Sequence, residues 1–69
     1  MKISARNVLN GEIVGVTKGV TTSHVKIDIG GGTIVMASIT NEAADDLGLA
    51  PGRKAYAVIK SSDVMVGVD

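Results

Sequence analysis

The chain contains no cysteine, no tryptophan and no phenylalanine. It has one histidine, one proline and one tyrosine among 69 residues. Without cysteine there is no disulfide, no thiolate metal site and no cysteine nucleophile. Neither sign of charge is in excess: seven Lys+Arg stand against seven Asp+Glu, for a formal net charge of zero. A sequence-blind polyanion binder carries a basic excess, so no nucleic-acid partner is expected. Single-strand binders also stack bases on aromatic rings, and Tyr56 stands alone. No apolar run approaches the ~20 residues of a membrane span. The opening Met-Lys-Ile-Ser-Ala-Arg lacks the apolar stretch of a signal peptide. The expectation is a cytoplasmic protein without a membrane partner.

What is present is globular in character. Hydrophobic residues make up 45% and charged residues 20% of the chain, and the mean hydropathy is +0.33. That composition argues against disorder, and the length predicts one domain over residues 1–69. Val and Ile dominate the apolar set, and β-branched residues suit a pleated sheet. The core they build is thin, because large aromatics are missing. Below roughly 70–80 residues one core rarely supplies more than ~3–5 kcal/mol, so small domains add disulfides, a metal or a partner subunit. Disulfides are excluded, and a single histidine argues against a structural metal. Oligomerisation is the remaining device, and it is the prediction.

The pattern along the chain reads as short strands separated by turns. Residues 3–9 read as a first strand or extended segment, and Asn10-Gly11 as a hairpin turn. Residues 12–17 follow as a strand, with Val14 and Val16 sharing a face. From Thr22 to Ile29 the alternation is clean: Val25, Ile27 and Ile29 lie opposite His24, Lys26 and Asp28. Gly30-Gly31-Gly32 is the next turn. Residues 33–39 are apolar on both faces, which predicts a strand covered on both sides. One helix is expected: Thr40-Asn41 supplies the N-cap, Ala43, Ala44 and Leu47 are helix formers, and Gly48 suits the C′ position. Pro51-Gly52 closes that connection. Residues 54–60 and 63–68 complete the strand count. The fold class predicted is mainly β, a small five-stranded OB-like barrel with one short helix.

Catalytic constellations are not supported. His24 is the only possible base for a serine triad, and it lies among solvated strand residues. Asp45 and Asp46 are adjacent and so point apart on a helix. No spaced ligand set for a metal exists, and the triple glycine precedes no helix, so it is not a phosphate loop. Two clusters remain. Ser4-Ala5-Arg6-Asn7 and Lys60-Ser61-Ser62 each pair a fixed cation with a hydroxyl, a combination that suits a tetrahedral oxyanion. Backbone N–H groups at the start of the predicted helix could add donors. Lys18-Gly19-Val20-Thr21-Thr22 sets glycine beside hydroxyl residues, which permits backbone N–H donation. Spacing alone leaves open whether these segments meet or form separate surface patches and plain turns.

These residues, taken together, resemble a family. Ser4-Ala5-Arg6-Asn7, Gly11, Lys18-Gly19-Val20, Val25, Ile29-Gly30-Gly31-Gly32, Ile39-Thr40-Asn41-Glu42, Leu47-Gly48-Leu49 and Val58-Ile59-Lys60-Ser61-Ser62-Asp63-Val64 are similar to the molbindins. These are small Mop-type molybdate-binding proteins, similar in turn to the TOBE modules of molybdate regulators and transporter ATPases. The resemblance runs from residue 2 to about residue 68. It implies an OB-like barrel in a homohexamer arranged as a trimer of dimers, with molybdate and often tungstate at subunit interfaces. It implies one class of site between two chains, on Ser4, Ala5, Arg6, Thr40, Ala43, Lys60 and Ser61. A second class near a threefold axis falls on Gly19, Val20, Thr21 and Thr22. The sequence departs from the family at Ala43, where many members carry serine, so any contact there runs through the backbone N–H.

The function expected is binding of an oxyanion for intracellular storage or buffering of molybdenum, with no bond chemistry and no organic cofactor. A pterin cofactor would require a large apolar or aromatic pocket, which one tyrosine is not expected to line. The alternative is an oxyanion-responsive interaction or regulatory module acting with a partner protein. No DNA-binding or ATPase segment is expected within these residues, so that role would draw on a partner chain.

Overall fold

The computed structural model describes residues 1–69. Strand β1 spans Asn7–Lys18, β2 Thr22–Asp28 and β3 Ile34–Thr40. Helix α1 spans Asn41–Asp46, strand β4 Lys54–Ile59, and a single 3-10 turn covers Ser61–Asp63. The four strands form one antiparallel sheet in the order β3-β2-β1-β4. β1 organises it. Its first half pairs with β4, from Asn7↔Ile59 to Glu12↔Lys54. Its second half pairs with β2, from Glu12↔Asp28 to Lys18↔Ser23. A strand that changes partner midway curls the sheet, and the result is an open half-barrel.

Two features make that curl possible. The register shifts between Ile13 and Gly15, so Val14 is an extra residue on β1, a bulge that bends the strand. Gly11 is the other. A Cβ there would sit 2.6 Å from Ile27 Cγ2 and 2.8 Å from the Asp28 carbonyl oxygen, so only glycine lets β1 pass this close to β2. Asn10-Gly11 is therefore not a hairpin turn. It lies inside β1, paired as Asn10↔Tyr56 and Gly11↔Ala55, and the glycine serves a close approach of backbones. The bulge also corrects the face expected for this segment. Ile13 is fully buried and Val16 partly so, while Val14 turns outward.

The remaining turns follow their residues. Gly30, Gly31 and Gly32 all have positive φ, and Asp28 Oδ1 accepts from Gly30 N–H at 2.8 Å. Thr40 caps α1 as expected, its Oγ1 accepting from Ala43 N–H at 3.1 Å. Gly48 ends the helix region at φ +63°.

Four strands form, not five. Residues 63–68 are not a strand: after the 3-10 turn the chain runs on without regular structure, and Met65, Val66 and Val68 are each at least nine-tenths exposed. A strand exists only through its ladder, and this segment pairs with no strand of its own chain. The opening residues 3–6 likewise precede the sheet, which starts at Asn7. β3 is an edge strand that is not covered on both sides, for Ile34 and Met36 are exposed. The core is as thin as the composition predicts. Ile13, Val25, Ile27 and Ala57 form its centre, and only six residues in all are buried.

Candidate functional site

The ladder between β1 and β4 ends at Asn7↔Ile59, and Asn7 Nδ2 donates to the Ile59 carbonyl oxygen at 3.2 Å. The next residue on each strand is a cation, Arg6 on one and Lys60 on the other. Ser4 and Ala5 lead into this point, and Ser61 opens the 3-10 turn that leaves it, with Asp63 N–H donating to the Lys60 carbonyl at 2.9 Å. The two ends of the chain therefore converge, and they bring two exposed cations and two hydroxyls to one end of the sheet. Neither cation has a carboxylate partner: the one ion pair of the structure joins Lys18 to Asp45. Like charges side by side repel, and here neither is offset by an ion pair.

Thr40 and Ala43 lie elsewhere. Thr40 pairs with Thr22 at the far end of β2, beside the Lys18 end of β1. From Asn7 to Lys18 β1 runs 12 residues, on the order of 35 Å of strand at ~3.3 Å per residue, shortened by its bend. The seven residues of the first site class thus fall into two half-sets at opposite ends of β1: Ser4, Ala5, Arg6, Lys60 and Ser61 at one, Thr40 and Ala43 at the other. One chain does not join them. The Ala43 N–H is already engaged by the Thr40 cap, while the Thr40 hydroxyl keeps its own proton to donate.

The second half-set sits beside the other expected site. The turn Gly19–Thr22 is closed by Gly19 N–H donating to the Thr22 carbonyl at 2.8 Å. It lines a shallow polar cleft of about 360 Å³ together with Thr17, Lys18 and His24. His24 is exposed and pairs across the sheet with Thr17, so it is a wall of this cleft. Val20 is almost wholly exposed. Sequence reasoning missed two residues here, Ser23 and Asn41. Ser23 is the one fully buried polar side chain, and its hydroxyl donates to Asn41 Oδ1 at 2.6 Å. The signal was available: Ser23 is in phase with Val25 and Ile27, and a serine on the core face of a strand requires a buried partner.

A second, larger hollow is apolar. It holds about 710 Å³ between the free edges of β3 and β4, with Val35, Met36, Ile39, Tyr56 and Val58 among its lining. A large apolar hollow that includes Tyr56 is thus present, contrary to the expectation from the single aromatic. It arises because the half-barrel is open on that side. No group of three or more His, Cys, Asp or Glu side chains is placed to hold a metal ion. No helix is long and apolar enough to cross a membrane.

A curled antiparallel sheet with two unpaired cations at one end and a hydroxyl-rich turn at the other defines a small β module. Comparison with known proteins gives the class its name. The TOBE domain model matches residues 3–66. A probable molybdenum-pterin-binding protein of Haemophilus influenzae is 46% identical over 69 residues, the full length of both chains. Among solved structures, MopII from Clostridium pasteurianum superposes with a TM-score of 0.91 at 42% identity, covering 97% of this chain and 100% of that one. The cytoplasmic molybdate-binding protein ModG with molybdate bound gives 0.94 at 40% identity, covering 100% of this chain and 49% of that one. The chain belongs to the TOBE-domain family, and within it to the Mop-type proteins, the molbindins. The OB-like fold expected from the sequence is the one these neighbours share.

Proposed function

We propose that this chain is a single molybdate-binding domain of a homo-oligomer, which holds molybdate or tungstate at subunit interfaces and buffers molybdenum in the cytoplasm. The observation that carries the reading is the division of the first site class. Arg6 and Lys60 lack anionic partners at one end of β1, and Thr40 lies at the other. A second copy that brings its Thr40 end to this chain's Arg6 end completes the set. The relatives' molybdate and molybdenum-pterin binding, together with the exposed apolar surfaces, supports it. The hollow between β3 and β4 and the exposed Val64, Met65, Val66 and Val68 are surface that a homohexamer, built as a trimer of dimers, would cover.

Arg6 and Lys60 offset the dianion's charge, and Ser4, Ser61 and Thr40 donate from hydroxyls. Backbone N–H groups at Ala5, and at Ala43 once its cap yields, complete the shell. Gly19, Val20, Thr21 and Thr22 form the second class near a threefold axis. A charge-assisted hydrogen bond contributes roughly 1.5–3 kcal/mol. Four to six of them, less the ion's dehydration, give binding of about −8 kcal/mol, in the micromolar range. Sulfate has the same charge and shape, so discrimination rests on size: a smaller anion leaves donors beyond bonding distance. The protein performs no bond chemistry and requires no organic cofactor. The apolar hollow offers a pterin few hydrogen-bond partners, for its only charged lining residues are Arg53 and Lys54.

Native mass spectrometry with and without molybdate, against excess sulfate, tests this reading. A sixfold assembly that gains discrete molybdate masses and ignores sulfate is the expected result. A monomer, or an oligomer that gains nothing, refutes it and favours an interaction module that acts with a partner protein.

A further inference from the structure

Asn41 touches three consecutive peptides of the turn between β1 and β2. Its Nδ2 donates to the Gly19 carbonyl at 3.0 Å and to the Val20 carbonyl at 3.2 Å. Its backbone N–H donates to the Thr21 carbonyl at 2.9 Å. In a trans peptide the carbonyl of one residue and the N–H of the next point in opposite directions. No peptide bond here is cis. Holding the carbonyls of Gly19, Val20 and Thr21 toward Asn41 therefore turns the N–H groups of Val20, Thr21 and Thr22 away from it. The N–H groups of Val20 and Thr21 have no acceptor within the chain.

The side-chain amide can do this in one orientation only. Two carbonyls need the NH2 end, so the Oδ1 end must face something that donates. Ser23 supplies that donor, from a position with no solvent access, at 2.6 Å. A buried hydroxyl with a single short partner fixes the amide against rotation.

We infer that Asn41, oriented by Ser23, is the positioning residue of the second oxyanion site: it takes the carbonyl side of the 19–22 turn so that successive N–H groups face the anion. The inference rests on the proposed molybdate function and deepens it. Asn41 does not touch the anion. It also follows Thr40 directly, so one residue holds the turn of the second site class against the element that carries Thr40 and Ala43 of the first.

Amide-resolved NMR titration of the intact oligomer with molybdate tests this, on wild type, Asn41→Ala and Ser23→Ala. In wild type, the amide protons of Val20, Thr21 and Thr22 are expected to move downfield, as do those near Ala5. In both variants the response of residues 20–22 weakens at least about tenfold in apparent affinity, the loss of one charge-assisted hydrogen bond. The response at Ala5 is retained in Ser23→Ala, which leaves the Thr40 cap in place. A merely structural role would lower the melting temperature without separating the two sets of amides. If Asn41→Ala does not fold, Ser23→Ala alone decides. Wild-type affinity at residues 20–22 in Ser23→Ala overturns the inference. So does a wild type in which Ala5 responds and residues 20–22 do not. A wild type in which no amide responds overturns the molybdate reading itself, and this inference with it.

Discussion

Replacing Gly11 by alanine tests the curl of the sheet. Gly11 sits next to Glu12, the residue at which β1 passes from β4 to β2. The added Cβ would lie 2.6 Å from Ile27 Cγ2 and 2.8 Å from the Asp28 carbonyl oxygen. Ordinary van der Waals contact is about 3.5–4.0 Å, so both distances are overlaps of the order of 1 Å. Ile27 is buried in the core and cannot swing aside freely, and Asp28 contributes backbone. Overpacking of this kind costs typically 1–3 kcal/mol. Removing glycine's freedom in the unfolded chain returns ~0.4–1 kcal/mol. The net expectation is a loss of about 1–2 kcal/mol for Gly11→Ala, and more for Gly11→Val, whose branches extend the same overlap. Denaturant unfolding at one fixed protein concentration is the assay, because assembly makes apparent stability depend on concentration. A variant as stable as wild type, or more so, would refute the close approach of β1 and β2 at this point.

Ile13→Ala removes the largest fully buried side chain and is expected to cost about 2–5 kcal/mol in the same assay. Lys18→Ala breaks the only ion pair, but both side chains are more than half exposed, so stability should change by less than ~1 kcal/mol. Arg6→Ala is expected to weaken the first site class roughly tenfold to a hundredfold while the second class stays nearly unchanged, read as separate molybdate transitions by calorimetry. Truncation after Asp63 removes the exposed Val64–Val68 segment and is expected to lower the oligomeric state seen in sedimentation.

Local signals were legible in the sequence wherever chemistry and conformation coincide. The N-cap at Thr40, the triple-glycine turn and the phase of Val25 and Ile27 all appear where their residues predict. Among the readings that went astray, three did so for physical reasons that lie outside local pattern. Asn10-Gly11 carries the strongest hairpin signal, yet the glycine answers a steric demand from β2 across the sheet. Val14 breaks the alternation because a bulge inserts one residue, and nothing in a period of two announces it. Val64–Val68 has the composition of a strand but no neighbour in its own chain, and pairing is not a local property. Of the candidate site, the convergence of Arg6 with Lys60 needs the β1–β4 register, which spacing does not supply. The separation of Thr40 from that pair is likewise visible only in the sheet order.

The central claim is that the first site takes Arg6 from one chain and Thr40 from another. Mixing two silent variants tests it. Arg6→Ala and Thr40→Val are each expected to bind molybdate weakly at this site class. In a mixed twofold dimer one site carries both substitutions and the other carries neither. Random pairing makes half the dimers mixed, so about a quarter of the interface sites recover wild-type affinity. Calorimetric titration of the co-refolded mixture should show that recovered fraction. A mixture that binds no better than its components would show that Arg6 and Thr40 do not complete one site across an interface, and would contradict the account.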